Sequence, residues 1–234
     1  FNMLLFFDSD IEANFQNFTF DKSESRHISK VLRKNVGSQI TITNGKGLEW
    51  KGEITSILNQ KVEAKKITSL KHSNKKKHIH LAVAPTKSND RMEWLIEKVT
   101  EIGVSSITPI LCDHSERKII RKERLIKIAI SALKQSQQFF LPEINSMMTF
   151  KKYIKSINHP GLIAHCGKSS KIELKNYNWE SEQIHLLIGP EGDFSLKEIK
   201  DAISAKLIPV SLGQQRLRTE TASILGSHIL LIKE

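Results

Sequence analysis

The run Ile184-His185-Leu186-Leu187-Ile188, followed at once by Gly189-Pro190-Glu191-Gly192-Asp193-Phe194-Ser195, leaves this chain little local freedom. The apolar run has the length of a buried strand. Ser195, with Glu198 three residues on, forms a capping box that starts a helix, and Phe194 and Ile199 take the staple positions around it. Such a cap contributes ~1 kcal/mol. The turn before it is therefore fixed as well. Gly189 and Gly192 permit positive φ or close approach of a ligand, Pro190 stiffens the bend, and Glu191 is held between them at the sheet edge. A second segment repeats the pattern: Val210-Ser211-Leu212-Gly213, then Arg216-Leu217-Arg218-Thr219-Glu220-Thr221-Ala222. Two glycine loops at the carboxyl ends of strands are what a ligand pocket in an α/β sheet requires. Leu187, Ile188, Leu212 and Leu217 are its expected apolar walls. Arg216 and Arg218, bunched at a helix start, favour an anion.

The pattern along the chain changes once. Up to about residue 70, strand-like alternation recurs in Gln39–Thr43, Glu49–Ile57 and Lys61–Ile67, with Asn44-Gly45-Lys46-Gly47 as a turn. A short helix is predicted over Glu24–Lys34, opening at Ser23, with Ile28, Val31 and Leu32 on one face and Arg26, His27, Lys30, Arg33 and Lys34 on the other. Several short strands in so little chain predict a small barrel or open sheet. The polar stretch Lys71–Lys77 reads as a linker. Beyond it strands and helices alternate: strands at Ile79–Ala84, Ile107–Leu111, Leu162–His165, Ile184–Ile188 and Ile208–Leu212, and helices at Asn89 or Asp90 to Gly103, Glu123 to about Gln137, Leu196–Ala205 and Thr219–Ile232. The first of these helices is expected to be capped by Asn89 or Asp90. This order predicts a mostly parallel sheet with helices on both faces.

The chain of 234 residues carries Lys plus Arg 36 against Asp plus Glu 25, a formal charge of +11 that favours polyanionic partners. Its 2 cysteines, Cys112 and Cys166, lie in apolar runs without metal or disulfide spacing and are read as small buried hydrophobes in a reducing compartment. No metal is expected. The remaining histidines, His114 among them, show no ligand spacing. No apolar run approaches the ~18 residues that span a membrane, and Met3-Leu4-Leu5-Phe6-Phe7 is too short for a signal peptide. Phe1 and Asn2, ahead of the first methionine, are expected to be cloning remnants, and the protein to be cytoplasmic. The glycine loops lack the lysine and Ser/Thr of a triphosphate loop, and no dinucleotide fingerprint follows the strand at Ile79–Ala84.

Gly189–Ser195 followed by Leu212-Gly213-Gln214-Gln215-Arg216-Leu217-Arg218-Thr219-Glu220-Thr221-Ala222 closely resembles the RsmE family of SPOUT methyltransferases, which act on 16S ribosomal RNA. His27–Arg33, Arg91–Trp94 through Lys98 to Gly103-Val104, and Gln135-Ser136 are similar to the same family. The resemblance spans nearly the whole chain. It implies a small PUA-like β-barrel domain for RNA binding at residues 3–72 and a SPOUT methyltransferase domain at 73–234, with a trefoil-knotted, mostly parallel sheet. It also implies a homodimer, S-adenosylmethionine as donor, and methylation of N3 of one uridine, position 1498 of that RNA. Two residues depart from the family pattern: Gln138, where many members have Arg, and Asp193, where many have Gly.

On that footing the cofactor residues are expected to be Ala164, His165, Ile188, Gly189, Pro190, Glu191, Gly192, Leu212, Gly213, Leu217 and Thr219. Uracil N3 keeps its proton at neutral pH, so transfer needs a base, a cation for the uridinate, or both. Arg218 is the expected cation, Glu191 or Glu220 the base, and Thr219 a donor to a uracil carbonyl. The target must be unpaired or flipped. RNA phosphates are expected at Arg26, Lys30, Arg33 and Lys34, at Arg91, and at Arg117 with Lys118, Arg121 and Lys122. A catalytically silent RNA-binding assembly factor would share the basic surface but has no need of both glycine loops. An ordinary doubly wound nucleotide enzyme is disfavoured by the missing fingerprints.

Overall fold

The computed structural model describes residues 4–58, 61–74 and 76–233; Phe1, Asn2, Met3, Asn59, Gln60, Lys75 and Glu234 lie outside the described residues. These include the Met3 and Glu234 ends of the expected domains and Lys75 of the expected linker. The chain divides into two compact units, residues 1–74 with 133–141, and residues 75–132 with 142–234.

The first unit contains strands β1 (Leu5–Phe7), β2 (Asn17–Thr19), β3 (Gln39–Thr43), β4 (Leu48–Leu58) and β5 (Lys61–Lys71), ordered β1-β3-β4-β5-β2. Only β1 and β3 pair parallel. Alternation puts Ile40, Ile42, Trp50, Ile54, Val62 and Ala64 into one core. Phe6 of β1 meets Phe20, just past β2, at a ring separation of 5.2 Å, so the two edge strands close on each other through aromatic side chains. Gly45 (φ 70°) and Gly47 (φ 90°) make the expected β3–β4 turn. The segment 133–141 belongs to this unit because Gly47 N–H donates to Phe139 O and Leu141 N–H to Gly45 O, while the His72 ring stacks on Phe139 at 4.3 Å.

Two expectations for this unit need correction. Helix α1 (Lys22–Arg26) is capped by Asp21, whose carboxylate accepts from Glu24 N–H, and not by Ser23. The chain then passes into a π-helical turn over His27–Val31. The extra residue of a π turn breaks the three-and-four spacing on which the predicted face rested. Ile28 is buried as expected, but Val31 is 70% exposed. The linker is also shorter than Lys71–Lys77. β5 runs through Lys71, and Lys77 is seated in the second unit, where its Nζ donates to the carbonyls of Trp179 and Lys233.

The second unit runs β6 (His78–Val83), α2 (Asn89–Ile102), β7 (Ser106–Leu111), α3 (Lys122–Gln135), β8 (Glu143–Ile144), β9 (Met148–Thr149), α4 (Phe150–Ser156), β10 (Gly161–Ala164), β11 (Ile172–Glu173), β12 (Gln183–Ile188), α5 (Leu196–Ser204), β13 (Ile208–Ser211) and α6 (Thr219–Leu231). The sheet order is β11-β13-β10-β12-β6-β7-β8, with β9 beside β7, and every pairing is parallel. On one face Ala82, Ile110, Ile163 and Leu187 pack with Phe150, Tyr153 and Ile154 of α4 and Ile199 and Ala202 of α5. On the other α6 packs against β6, β12 and α2. Helices thus cover both faces. Gly103 ends α2 in the left-handed conformation, as read. The N-cap of α2 is Ser88, one residue before the expected Asn89 or Asp90, and it makes no side-chain cap bond. No helix among the described residues is long and apolar enough to cross a membrane.

Candidate active site

Strand β10 lies between β12 and β13, and Ala164 stands in register with both Ile188 and Val210. The three parallel strands therefore end at one level, and three loops leave the sheet side by side. Between them is a cavity of about 590 Å³. Its lining includes ten of the residues expected to hold the cofactor: Ala164, His165, Ile188, Gly189, Pro190, Glu191, Leu212, Gly213, Leu217 and Thr219. Arg216 and Arg218 line it as well, both exposed. Among the described residues neither arginine has an acidic partner.

The two glycine loops are joined directly. Thr219, 4% exposed at the first turn of α6, donates its hydroxyl to Gly189 O at 3.0 Å. That hydroxyl has one proton, so in this arrangement Thr219 ties the loops together and has no proton left for a uracil carbonyl. The 189–195 loop is fixed at its other end by the predicted capping box, with Ser195 Oγ accepting from Glu198 N–H and Glu198 Oε2 accepting from Ser195 N–H.

Asp193 has φ +64°, a left-handed conformation in which Asp is tolerated better than most side chains. Its Oδ1 accepts from Phe194 N–H and its Oδ2 from Cys166 N–H, both at 2.8 Å. Two charge-assisted hydrogen bonds offset the backbone strain at this residue. One of them pins the β10 loop to the β12 loop.

His165 is 7% exposed. Burial, reinforced by the Lys171 ammonium and opposed by Asp193, lowers its pKa and keeps it neutral. Its Nδ1 accepts from Gly167 N–H, which leaves the proton on Nε2 facing Ser169 Oγ. Lys171 closes this loop by donating to His165 O and Gly167 O.

Five expected site residues are placed elsewhere or otherwise engaged. Glu220 does not line the cavity. One residue past Thr219, the helical rotation of roughly 100° turns it toward α2, where it is 5% exposed with Oε1 3.7 Å from Arg91 Nε. Arg91 thereby becomes a partner of Glu220 and is only half-exposed. Gly192 does not line the cavity either; a Cβ there would stand 3.1 Å from His114 Cβ. The Arg117 guanidinium is bonded to Asn89 Oδ1 and Lys87 O, so it braces the β6–α2 loop. Glu191 stays on the cavity wall and is exposed, with Oε1 accepting from Lys87 N–H at 3.0 Å. Arg26, Lys30 and Arg33 are exposed in the first unit, and Lys34 is half-exposed.

Sequence reasoning missed Cys166, Lys171 and the Asp193 side chain as cavity walls. Cys166 is exposed, not buried as expected, because the strand ends at Ala164 and the thiol falls in the loop. Cys112 is buried. The carboxyl-end rule that selected His165 applies equally to the residues after it and is the signal that would have found them.

Residues 73–231 match the family model of the RNA methyltransferase domain, and residues 20–67 match that of the RNA methyltransferase PUA domain. The chain is 32% identical to ribosomal RNA small subunit methyltransferase E of Buchnera aphidicola from Acyrthosiphon pisum, over 95% of this chain and 90% of the relative. It is 30% identical to the protein of that name from Rickettsia conorii, covering 86% and 87%. Among solved structures, a probable rRNA methyltransferase from Porphyromonas gingivalis superposes with a TM-score of 0.92 at 34% identity, over 99% of this chain and 98% of the other. Ribosomal RNA small subunit methyltransferase E from Neisseria gonorrhoeae, bound to S-adenosylmethionine, gives 0.87 at 27% over 99% and 98%. With both family models matched and identity at this level along nearly its full length, the chain belongs to the ribosomal RNA small subunit methyltransferase E family.

Proposed function

We propose that this protein transfers a methyl group from S-adenosylmethionine to N3 of a single uridine in 16S ribosomal RNA, position 1498 by family resemblance. The cavity bounded by the β10, β12 and β13 loops is the observation that carries the reading. Its volume falls in the range of small-molecule sites. Its donor set suits a purine nucleoside: apolar Ile188, Leu212 and Leu217 for the base, and loop amides and carbonyls for its edges. Gly213, at φ +137° with only the end of the Gln215 side chain, 4.0 Å away, near where a Cβ would sit, leaves room for close backbone approach. The Gonococcal relative was solved with this donor bound.

When bound, the donor supplies an activated methyl group on sulfur. The chain's residues must hold the acceptor nitrogen in line at ~3–3.5 Å and exclude competing water. Arg218, exposed on the cavity wall without an acidic partner, stabilises the uridinate that forms as N3 loses its proton. Of the two acidic residues on that wall, Asp193 has its carboxylate held by Cys166 N–H and Phe194 N–H, and Glu191 takes the proton. Arg26, Lys30, Arg33 and Lys34 of the first unit grip RNA phosphates, so that residues 3–72 bind RNA and 73–234 carry out transfer. The protein acts as a cytoplasmic homodimer. The knotted path belongs to the same reading, supported by a chain that leaves the sheet at β13, beyond β10, and returns in α6 to pack on β6 and β12.

Mass mapping of small-subunit RNA after incubation with protein and donor tests this. One methyl on N3 of a uridine is expected; no added methyl, or a methyl on ribose, contradicts it. Within that assay Arg218→Ala and Glu191→Gln should each lower kcat at least tenfold. Wild-type turnover in both would end the role assignment.

A further inference from the structure

The short loop after β7, residues 112–117, is bonded to the β12 loop more extensively than its exposure suggests. Asp113 N–H donates to Glu198 Oε1 at 2.9 Å, and Ser195 Oγ donates to Asp113 Oδ2 at 2.6 Å, so the capping box of α5 extends onto this loop. Its own turn is closed by Cys112 N–H donating to Ser115 Oγ and Ser115 N–H to Cys112 O. From this fixed base the exposed His114 directs Nδ1 at two carbonyls, Gly192 O at 3.1 Å and Asp193 O at 2.9 Å. Carbonyls only accept, so Nδ1 carries the proton. Beneath the ring, Gly192 is packed closely enough that a Cβ would stand 3.1 Å from His114 Cβ.

We propose that His114 is a positioning residue for the donor-binding loop, its shared Nδ1–H holding the Gly192-Asp193 turn in the shape that forms one wall of the cavity. This rests on the cavity taking S-adenosylmethionine. Asp193 is the link: it lies in the turn that His114 holds from outside, it lines the cavity, and its carboxylate reaches Cys166 N–H on the facing loop. Releasing the two carbonyls frees a residue in a disfavoured backbone region to relax, and the wall moves with it. The segment that follows this loop, up to the start of α3, carries the cationic Lys118 and Arg121, so the brace also connects the donor wall to a basic segment.

Substitution at 114 separates the hydrogen bond from bulk. Asn places an N–H donor where Nδ1 stands, Asp places an acceptor there, and Ala removes both. His114→Ala and His114→Asp should weaken S-adenosylhomocysteine binding and raise the donor KM about three- to tenfold, the effect of one ordinary hydrogen bond. Melting temperature and the RNA KM should stay near wild type. His114→Asn should recover to within about twofold. Amide exchange at residues 191–194 of the ligand-free protein is the second readout. It should quicken in the Ala and Asp variants and return toward wild type in Asn. Donor affinity equal in all variants, or Asn as weak as Ala, overturns the proposal, as does exchange that His114→Ala leaves unchanged. Failure of the wild type itself to bind S-adenosylhomocysteine would count against the donor reading, and the exchange measurement still decides the role of His114.

Discussion

Replacing Thr219 by Val removes the side-chain bond that joins the two glycine loops while keeping the shape of the residue. The hydroxyl is buried and lies 3.0 Å from Gly189 O. Without it that carbonyl loses its partner in a largely closed setting, at about 1–3 kcal/mol. No large cavity forms, so the loss is that of the hydrogen bond alone. For a chain of this size each kcal/mol lowers Tm by roughly 2–4 °C, which puts the expected drop at several degrees. Donor binding should suffer as well, because the loops on either side of the cavity lose their tie; a weakening of about three- to tenfold in S-adenosylhomocysteine affinity corresponds to an ordinary hydrogen bond. Thr219→Ser keeps the hydroxyl and should stay close to wild type in affinity. Calorimetric unfolding and ligand titration on the three proteins read both effects. A Thr219→Val protein with wild-type Tm and affinity would refute the reasoning, because the hydroxyl would then contribute nothing to joining the loops.

Three further outcomes follow from the geometry. His185 stacks near His80 and His159 and accepts from Tyr153 Oη; burial first, then those two imidazoles, push its pKa down to about 4. In the unfolded chain it protonates near the ordinary value of ~6.5, so the unfolded state binds the extra proton between the two. Stability from this group is intact at neutral pH and falls as pH drops from about 6.5 toward 4, by roughly 2–3 kcal/mol after allowing for partial exposure. His185→Asn, which keeps an acceptor for Tyr153, should flatten that slope in pH-dependent denaturation; an unchanged slope contradicts it. Gly52→Ala should destabilise the first unit by several kcal/mol in chemical denaturation, because a Cβ would lie 2.3 Å from the Trp50 ring and 2.9 Å from Lys65 O; a wild-type midpoint would show that the strand yields cheaply. A maleimide should label Cys166 far faster than Cys112, whose thiol is buried and pushed well above its usual range, and S-adenosylhomocysteine should slow the reaction because Cys166 lines the cavity. Labelling indifferent to ligand would place the donor elsewhere.

What the sequence made legible was local. Ser195 and Glu198 specify a helix start three residues apart, Gly103 specifies a helix end, and each interaction closes within one turn of chain. The long helices α2, α5 and α6 and the strands β6, β10, β12 and β13 carry enough periodic residues to be recognised. The two-residue strands β8, β9 and β11 carry almost none, and α4 was missed although Phe150, Tyr153 and Ile154 follow helical spacing, because it spans only Phe150–Ser156. The π turn at His27–Val31 has no sequence signature at all, and the burial of Val31 was misjudged with it. Residues 133–141 join the first unit through bonds to Gly45 and Gly47, across a separation that no pattern along the chain reports. At the site, the paired glycine loops and the family resemblance they carry pointed to ten residues that line the cavity. They did not place Glu220, which one further step of helical rotation turns toward α2. They gave no sign of His114, because a bond to a loop far along the chain is a property of the sheet order, which puts β7, β6 and β12 side by side.

The central claim is that the space between the β12 and β13 loops receives the methyl donor. A crystal structure of the protein with S-adenosylhomocysteine tests it directly. The ligand is expected between Gly189–Glu191 and Leu212–Leu217, in contact with the wall formed by Ala164 and His165. Ligand density outside that space, or an unliganded cavity at saturating concentration, would contradict it.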